Sequence, residues 1–303
     1  MKILLFGKGG QVGWELQRSL APLGDLIALD FDSNNYCGDF TNLPGLVDAV
    51  RDIKPNLIIN AGAHTAVDKA ESEPDLVRAL NALAPGTLAT EAASIGAWLV
   101  HYSTDYVFDG SGSASWVETD QPAPLNVYGR TKLEGEQLIH ASGCKHLIFR
   151  TSWVYGARGG NFAKTMLKLA QEREVLNVIN DQIGAPTGAE LLADVTAHAI
   201  RQVRQQQLGA VPSGIYHLVA QGEVSWFDYA SHVVAFAKNS PMAAKILATS
   251  IQPVPTTAFP TAAQRPLNSR LNTAKLQATF GVRLPSWKQG VERMLTEYIE
   301  KQS

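Results

Sequence analysis

The sequence predicts an α/β protein: a doubly wound parallel sheet with a smaller, mixed α/β C-terminal unit. Three observations carry that reading. Short apolar segments with little polar alternation recur through the first half of the chain, the pattern of strands covered by helices on both faces. Helical stretches separate them, and strand–helix repetition builds parallel sheets. Four glycines also stand close together in "GKGGQVG", where the first strand gives way to the first helix.

Taken in order, Lys2–Phe6 reads as a strand and Gln11–Leu20 as a helix. Residues 25–30 read as the second strand. Residues 43–52 read as a helix with Pro44 in its first turn, where a backbone N–H would lack a partner anyway. Leu57–Asn60 is the third strand. An Ala-rich helical region covers 75–95, with Pro85 marking a break. Residues 98–102 form a strand, followed by a loop carrying Gly110, Gly112, Pro122 and Pro124. Val127–Ala141 is a helix and 146–150 another strand. Beyond residue 155 the pattern loosens into helices at 161–171, Ala189–Gln205, 226–237 and 288–299, with a turn and strand at "VPSGIYHL". The stretch 253–266 contains four prolines and is expected to be irregular or extended. The expected division is a dinucleotide-binding domain over 1–155, rejoined by parts of 175–220, and a mainly substrate-binding domain over 156–303.

Composition narrows the function classes. A chain of 303 residues can bury a core of one large or two modest domains. Its 26 basic and 28 acidic residues leave a formal charge of −2, so neither nucleic acid nor an anionic membrane is an expected partner. No stretch approaches the ~20 apolar residues of a membrane span. The two cysteines, Cys37 and Cys144, form no disulfide framework or metal spacing, and a reducing cytoplasm is the expected compartment.

The glycine stretch has the geometry of an anion site. One glycine permits the tight turn, another lets the backbone approach a pyrophosphate, and a third allows the helix to pack closely on the sheet. The helix N-terminus then offers free N–H groups. No Gly-Lys-Ser/Thr follows, which excludes a P-loop. Gly7, Gly10, Gln11, Val12 and Gly13 are therefore the candidate pyrophosphate contacts. Asp30, at the end of the second strand, suits the two hydroxyls of an adenosine ribose and favours NADH over NADPH; Lys8 nearby can accommodate a phosphate, so both cofactors stay open. Asp39 and Phe40 are placed beside the adenine. Ala61, Gly62, Ala63, His64 and Thr65 follow the third strand, where small residues let a cofactor pass close to the backbone.

"VYGRTKLEGE" places Tyr128 and Lys132 four residues apart, on one face of a helix. A free tyrosine, with a pKa of ~10, is a poor proton donor–acceptor at neutral pH. A lysine ammonium ~4 Å away favours the phenolate by ~4 kcal/mol at an effective dielectric near ~20. "HYSTDYVFDG" supplies a hydroxyl from Ser103 or Thr104 at the carboxyl end of the fourth strand, where open α/β sheets bind ligands. Glycine loop, strand-end hydroxyl and YxxxK occur in the order a nicotinamide-dependent ketoreductase needs.

The motifs "GKGGQVG", "NAGAHTAVDKAE", "STDYVFDG", "NVYGRTKLEGE", "RTSWVYG" and "RPLNSRL" run from residue 7 to 271. Together they resemble the extended, nucleotide-sugar-modifying branch of the short-chain dehydrogenase/reductase superfamily, and within it the dTDP-sugar 4-ketoreductases. The resemblance implies a Rossmann fold and NAD(P)H-dependent reduction of the C4 ketone of dTDP-4-dehydro-L-rhamnose to dTDP-L-rhamnose. This is the last step toward an activated sugar for bacterial surface polysaccharides such as the O-antigen of lipopolysaccharide. It implies Tyr128 as proton donor and Lys132 as the residue that lowers its pKa and holds the nicotinamide ribose. Thr104 rather than Ser103 becomes the orienting hydroxyl, and Tyr102 joins the cofactor contacts. Thr104, Asp105, Tyr128, Trp153 and Arg265 become substrate contacts, with Arg265 at the diphosphate. The resemblance further implies a homodimer and an association with magnesium through Glu15, Glu190 and Glu292.

Two other readings compete. An epimerase or dehydratase of nucleotide sugars would recycle a tightly bound NAD, but dehydratases of this type carry an Asp–Glu pair after the hydroxyl, and here Thr104-Asp105 is followed by Tyr106. A non-catalytic, cofactor-binding regulatory subunit, like that of methionine adenosyltransferase, is the alternative from another class. Retention of Thr104, Tyr128 and Lys132 favours the enzyme.

Overall fold

Six parallel strands form the centre of the computed structural model, which describes residues 1–205 and 212–301. The first winding is β1 (Lys2–Phe6), α1 (Gln11–Leu20), β2 (Asp25–Leu29), α2 (Leu43–Ile53) and β3 (Leu57–Asn60). Next come α3 (Val67–Ala70), α4 (Pro74–Arg78), a π-helical turn Ala79–Leu83, α5 (Ala84–Ile95) and β4 (Trp98–Thr104). They lead to α6 (Val127–Ala141), β5 (Lys145–Thr151) and β6 (Val154–Tyr155). The remainder comprises α7 (Phe162–Glu172), β7 (Val175–Ile179), β8 (Ile183–Gly184), β9 (Thr187–Gly188), α8 (Ala189–Gln205), β10 (Gly214–His217) and β11 (Val224–Ser225). The chain ends with α9 (Trp226–Lys238), β12 (Ser250–Val254), α10 (Ala274–Phe280) and α11 (Trp287–Glu300).

The strand order is β10-β5-β4-β3-β1-β2. Alternation assigns each strand residue to one face. Ile3 and Leu5 join Leu16, Leu20, Val100 and Phe149 in one buried cluster. Leu4 and Phe6 join Leu46, Val50, Leu88 and Leu99 in the other. Both clusters are apolar, which is why the strands read as unbroken hydrophobic runs. Chain order reverses between β1 and β3, the switch point where such sheets open a ligand crevice beyond their carboxyl ends.

Three local features of the elements have physical causes. The helical region expected over 75–95 breaks as the π turn just before Pro85. Proline has no N–H for the Asn81 carbonyl one turn back, and that carbonyl faces α6 so closely that a Cβ on Gly135 would come within 2.3 Å of it. Strand β4 runs past Tyr102, so Ser103 and Thr104 lie within the ladder, opposite Arg150 and Thr151. The proline-rich stretch begins inside a strand, because β12 pairs in parallel with β7.

Beyond Tyr155 the chain divides its burial. Helices α7, α9 and α11 enclose their own core with Leu176, Val178, Tyr229, Trp287 and Leu295. Helix α8 lies against the sheet through Leu192, Ala199 and Ile200, and Leu276, Phe280 and Leu284 join the same cluster. β10 completes the sheet beside β5. So α8, β10 and α10 pack with the first half of the chain.

Candidate active site

The crevice at the switch point is built from close backbone approaches. Gly7 has φ +83°, a left-handed conformation that suits glycine. A Cβ there would meet the Gly62 nitrogen at 2.6 Å, and one on Gly13 would meet the Gly7 carbonyl at 1.9 Å. The loop after β1, the N-terminus of α1 and the end of β3 are thus pressed together without side chains between them. Asp30 closes the loop from β2: the Gly9 N–H donates to one carboxylate oxygen at 2.9 Å and the Phe31 N–H to the other at 3.1 Å. Lys8 Nζ reaches Ser33 Oγ at 3.4 Å beside it. Phe40 is a buried wall, edge-on to Phe6 and under Gly62. Asp39 is occupied by both the N–H and the hydroxyl of Thr41, each at 2.8 Å.

His64 is clamped through its backbone. Its N–H donates to Asn81 Oδ1 at 2.8 Å and its carbonyl accepts from Asn81 Nδ2 at 3.0 Å. The π turn that places Asn81 therefore also fixes the loop of Ala63, His64 and Thr65. Arg158 was not anticipated either. Its Nε donates to the Gly9 carbonyl at 3.1 Å and its guanidinium lies 4.3 Å over the Trp14 ring, bridging the later loop to the glycine loop.

At the other end of the crevice, Thr104, Tyr128 and Lys132 come together. Thr104 ends β4, accepts from the Tyr106 N–H at 3.1 Å, donates to Asp105 Oδ1 at 3.1 Å and acts to lower the Tyr128 hydroxyl's proton affinity. Asn126 caps α6, accepting from the Gly129 N–H at 2.8 Å. Glu71 accepts from the Val127 N–H at 2.7 Å. These two contacts set the angle at which α6 presents Tyr128. Tyr106 packs edge-on against the Tyr128 ring. Lys132 is buried, with Nζ donating to the Tyr102 carbonyl at 2.6 Å and lying 3.1 Å from His101 Nε2.

The electrostatics differ from the sequence argument. Burial, together with the nearby Asp105 charge, pushes the Tyr128 hydroxyl up to about 12, against the opposing hydrogen bond from Thr104. The lowering expected from Lys132 is not what dominates, because the lysine head is turned to β4. Burial pushes Lys132 itself down to about 8, with Glu136 opposing. Burial also raises Asp105 to about 7, although the Thr104 hydroxyl donates to its Oδ1 at 3.1 Å.

Tyr102 contributes to this site by its backbone. Its hydroxyl is buried on the opposite face of the sheet, 2.6 Å from Thr196 of α8. Trp153 has the unusual φ of +48° and stacks 3.5 Å from Trp226, a strained backbone of the kind that marks binding sites. Arg265 does not stand free for a diphosphate: its terminal nitrogens hold Asp68 at 3.0 and 2.6 Å. The expected magnesium ligands do not gather. Glu15 pairs with Arg18, Glu292 with His232 and Glu190 with Arg293. Among the described residues no group of three His, Cys, Asp or Glu could hold a metal. Several buried polar atoms around the crevice have no partner: Gln11 Oε1, Ser103 Oγ, Asp105 Oδ2 and Thr151 Oγ1. Unpaired polar atoms at strand ends, beside a cradle that a single Cβ would fill, fit a polar ligand of dinucleotide shape.

This fold and this triad define a reductase of the extended short-chain dehydrogenase/reductase class. The family model described as "RmlD substrate binding domain" matches residues 1–300. A dTDP-4-dehydrorhamnose reductase of Escherichia coli K12 is 59% identical over 297 residues, 98% of each chain. The chain belongs to the dTDP-4-dehydrorhamnose reductase family. A crystal structure of a family member from Clostridium acetobutylicum superposes with a TM-score of 0.87 at 37% identity, covering 100% of this chain and 99% of that one. Another, from Bacillus anthracis in complex with NADP, does so at 0.84 and 35%, covering 98% and 100%. A dTDP-glucose 4,6-dehydratase from Streptomyces venezuelae, 18% identical with a TM-score of 0.79 over 100% of this chain and 98% of that one, shares the fold.

Proposed function

We propose that the protein reduces the C4 ketone of dTDP-4-dehydro-L-rhamnose to dTDP-L-rhamnose with NADH or NADPH. The observation that carries this is the joint placement of Thr104 at the end of β4 and Tyr128 in the first turn of α6, beside the glycine-lined crevice, with Lys132 one helical turn on and its Nζ bonded to the Tyr102 carbonyl of β4. When bound, the reduced nicotinamide supplies the hydride. Tyr128, kept protonated by its buried setting, donates its proton to the oxygen of the reacting carbon. Thr104 orients that hydroxyl and can bond the same substrate oxygen. Lys132 as an ammonium stabilises the phenolate left behind and reaches the ribose.

In this reading Gly7, Gly10, Gln11, Val12 and Gly13 hold the pyrophosphate, and Asp30, already held by two N–H donors, accepts from the ribose hydroxyls. Lys8 beside Ser33 offers charge to a 2′-phosphate, which supports use of both cofactors. Asp105 and Trp153 face the sugar. A homodimer and a reducing cytoplasm complete the proposal. The test is loss of nicotinamide absorbance with each cofactor and several 4-keto sugar nucleotides. Turnover with the dTDP-4-keto sugar is expected, and none with either cofactor overturns the reading.

A further inference from the structure

Behind Lys132 lies a file of buried polar groups whose hydrogen-bond polarity can be read from one end. Asn60, at the carboxyl end of β3, and His101, in the middle of β4, are direct register partners, and both, like Lys132, are almost sealed from solvent. The Gly62 N–H donates to Asn60 Oδ1 at 3.0 Å. A backbone amide can only donate, so the Asn60 amide has one orientation, with Nδ2 facing His101 Nδ1 at 3.0 Å. Nδ2 can only donate as well. His101 Nδ1 therefore accepts, and a neutral imidazole then carries its proton on Nε2. Burial holds His101 well below its ordinary value, with Lys132 and His146 acting in the same direction, so neutral is its state. Its Nε2–H points at Lys132 Nζ, 3.1 Å away.

An ammonium has three donors and no acceptor, so against Nε2–H it sets donor against donor. A neutral amine accepts that bond with its lone pair and still donates to the Tyr102 carbonyl. We infer that Asn60 and His101 are positioning residues that present a hydrogen-bond donor to Lys132 and weaken its hold on its third proton. The inference rests on the reductase reading of Lys132. Other groups face this region: Glu136 on α6, which favours the lysine charge but is itself held by Arg150 of β5; Asp105 beside Tyr128; and His146 of β5 near His101.

Nitrogen NMR of the labelled histidine rings reads the tautomer without any turnover, with His101 assigned by its absence in His101→Gln. Nδ1 is expected bare and Nε2 protonated; an Nδ1–H tautomer or an imidazolium at neutral pH overturns the inference. Asn60→Asp offers a carboxylate to Nδ1 and should reverse the tautomer, turning Nε2 into an acceptor for the ammonium. Asn60→Ala frees the ring without adding charge. Both should move the alkaline limb of kcat/KM upward by about one pH unit, since a removed or reversed donor favours the charged amine. A merely structural role would lower the rate at every pH and leave the limb in place, and an unmoved limb in both variants overturns the inference. The NMR result stands apart from the substrate assay, so failure of the reductase reading and failure of this one are distinguishable.

Discussion

Tyr128 and Lys132 are shifted in opposite directions by the same cause. Burial disfavours the charged form of each, raising the phenol to about 12 and lowering the amine to about 8. A donor must hold its proton until the substrate oxygen develops charge, and Tyr128 does so across the neutral range. Tyr128→Phe should keep cofactor affinity, measured by fluorescence titration, and lose at least ~10²-fold in kcat, the usual scale of a positioned acid. The pH dependence follows from the lysine. Below pH about 8 Lys132 is an ammonium and supports the phenolate; above it the charge is lost. The rate of reduction should therefore fall as pH rises through about 8, and a rate profile flat to pH 10 would remove Lys132 from that role. Thr104, Tyr128 and Lys132 could be proposed at this scale because their spacing and residue types suit the chemistry. Asn60 and His101 could not, since each alone looks like an ordinary polar residue in a strand. Only the β3–β4 register makes them neighbours.

Elements place these residues through backbone contacts that composition does not reveal. Helix α1 can approach β1 because position 13 has no side chain. Gly13→Ala would put a methyl 1.9 Å from the Gly7 carbonyl, and backbone would have to move. Overpacking of this kind costs about 1–3 kcal/mol, so cofactor affinity should fall at least about fivefold in a binding titration. Helix α6 is fastened to β5 by the Glu136–Arg150 pair, bonded at 2.9 and 2.6 Å and buried at both ends. Glu136→Gln leaves an uncompensated guanidinium beneath the catalytic helix and should cost about 3–5 kcal/mol in denaturant unfolding. The strands and long helices were readable because helical and strand periods are local properties. The break at Pro85 was readable too, but not its form as a π turn, in which the Asn81 carbonyl faces Gly135 on another helix.

Across the whole molecule the two halves meet through a strap over residues 263–272. Asn126 donates to the Gln264 carbonyl at 2.8 Å, Arg265 grips Asp68, and the Asn268 N–H reaches the Gly110 carbonyl at 3.1 Å. The strap thus ties the second half to the capped end of α6. Asp68→Ala should loosen it, raising KM for the sugar nucleotide several-fold while changing overall stability by no more than ~1 kcal/mol, since the pair is partly exposed. Unchanged KM in steady-state assays would confine the pair to a surface role.

By itself the sequence determined the sheet, its windings, the glycine loop and the spacing of Tyr128 and Lys132 on one helix. Each of these rests on periodicity or on residues a few positions apart. Tertiary structure alone decided the rest. Arg265 faces Asp68 rather than standing free, Tyr102 turns its ring to α8, and the three glutamates pair with separate cations. Around α8, β10 and α10 the later chain returns to the first core. These outcomes depend on which apolar face and which charge lie opposite after folding, and no local spacing encodes that.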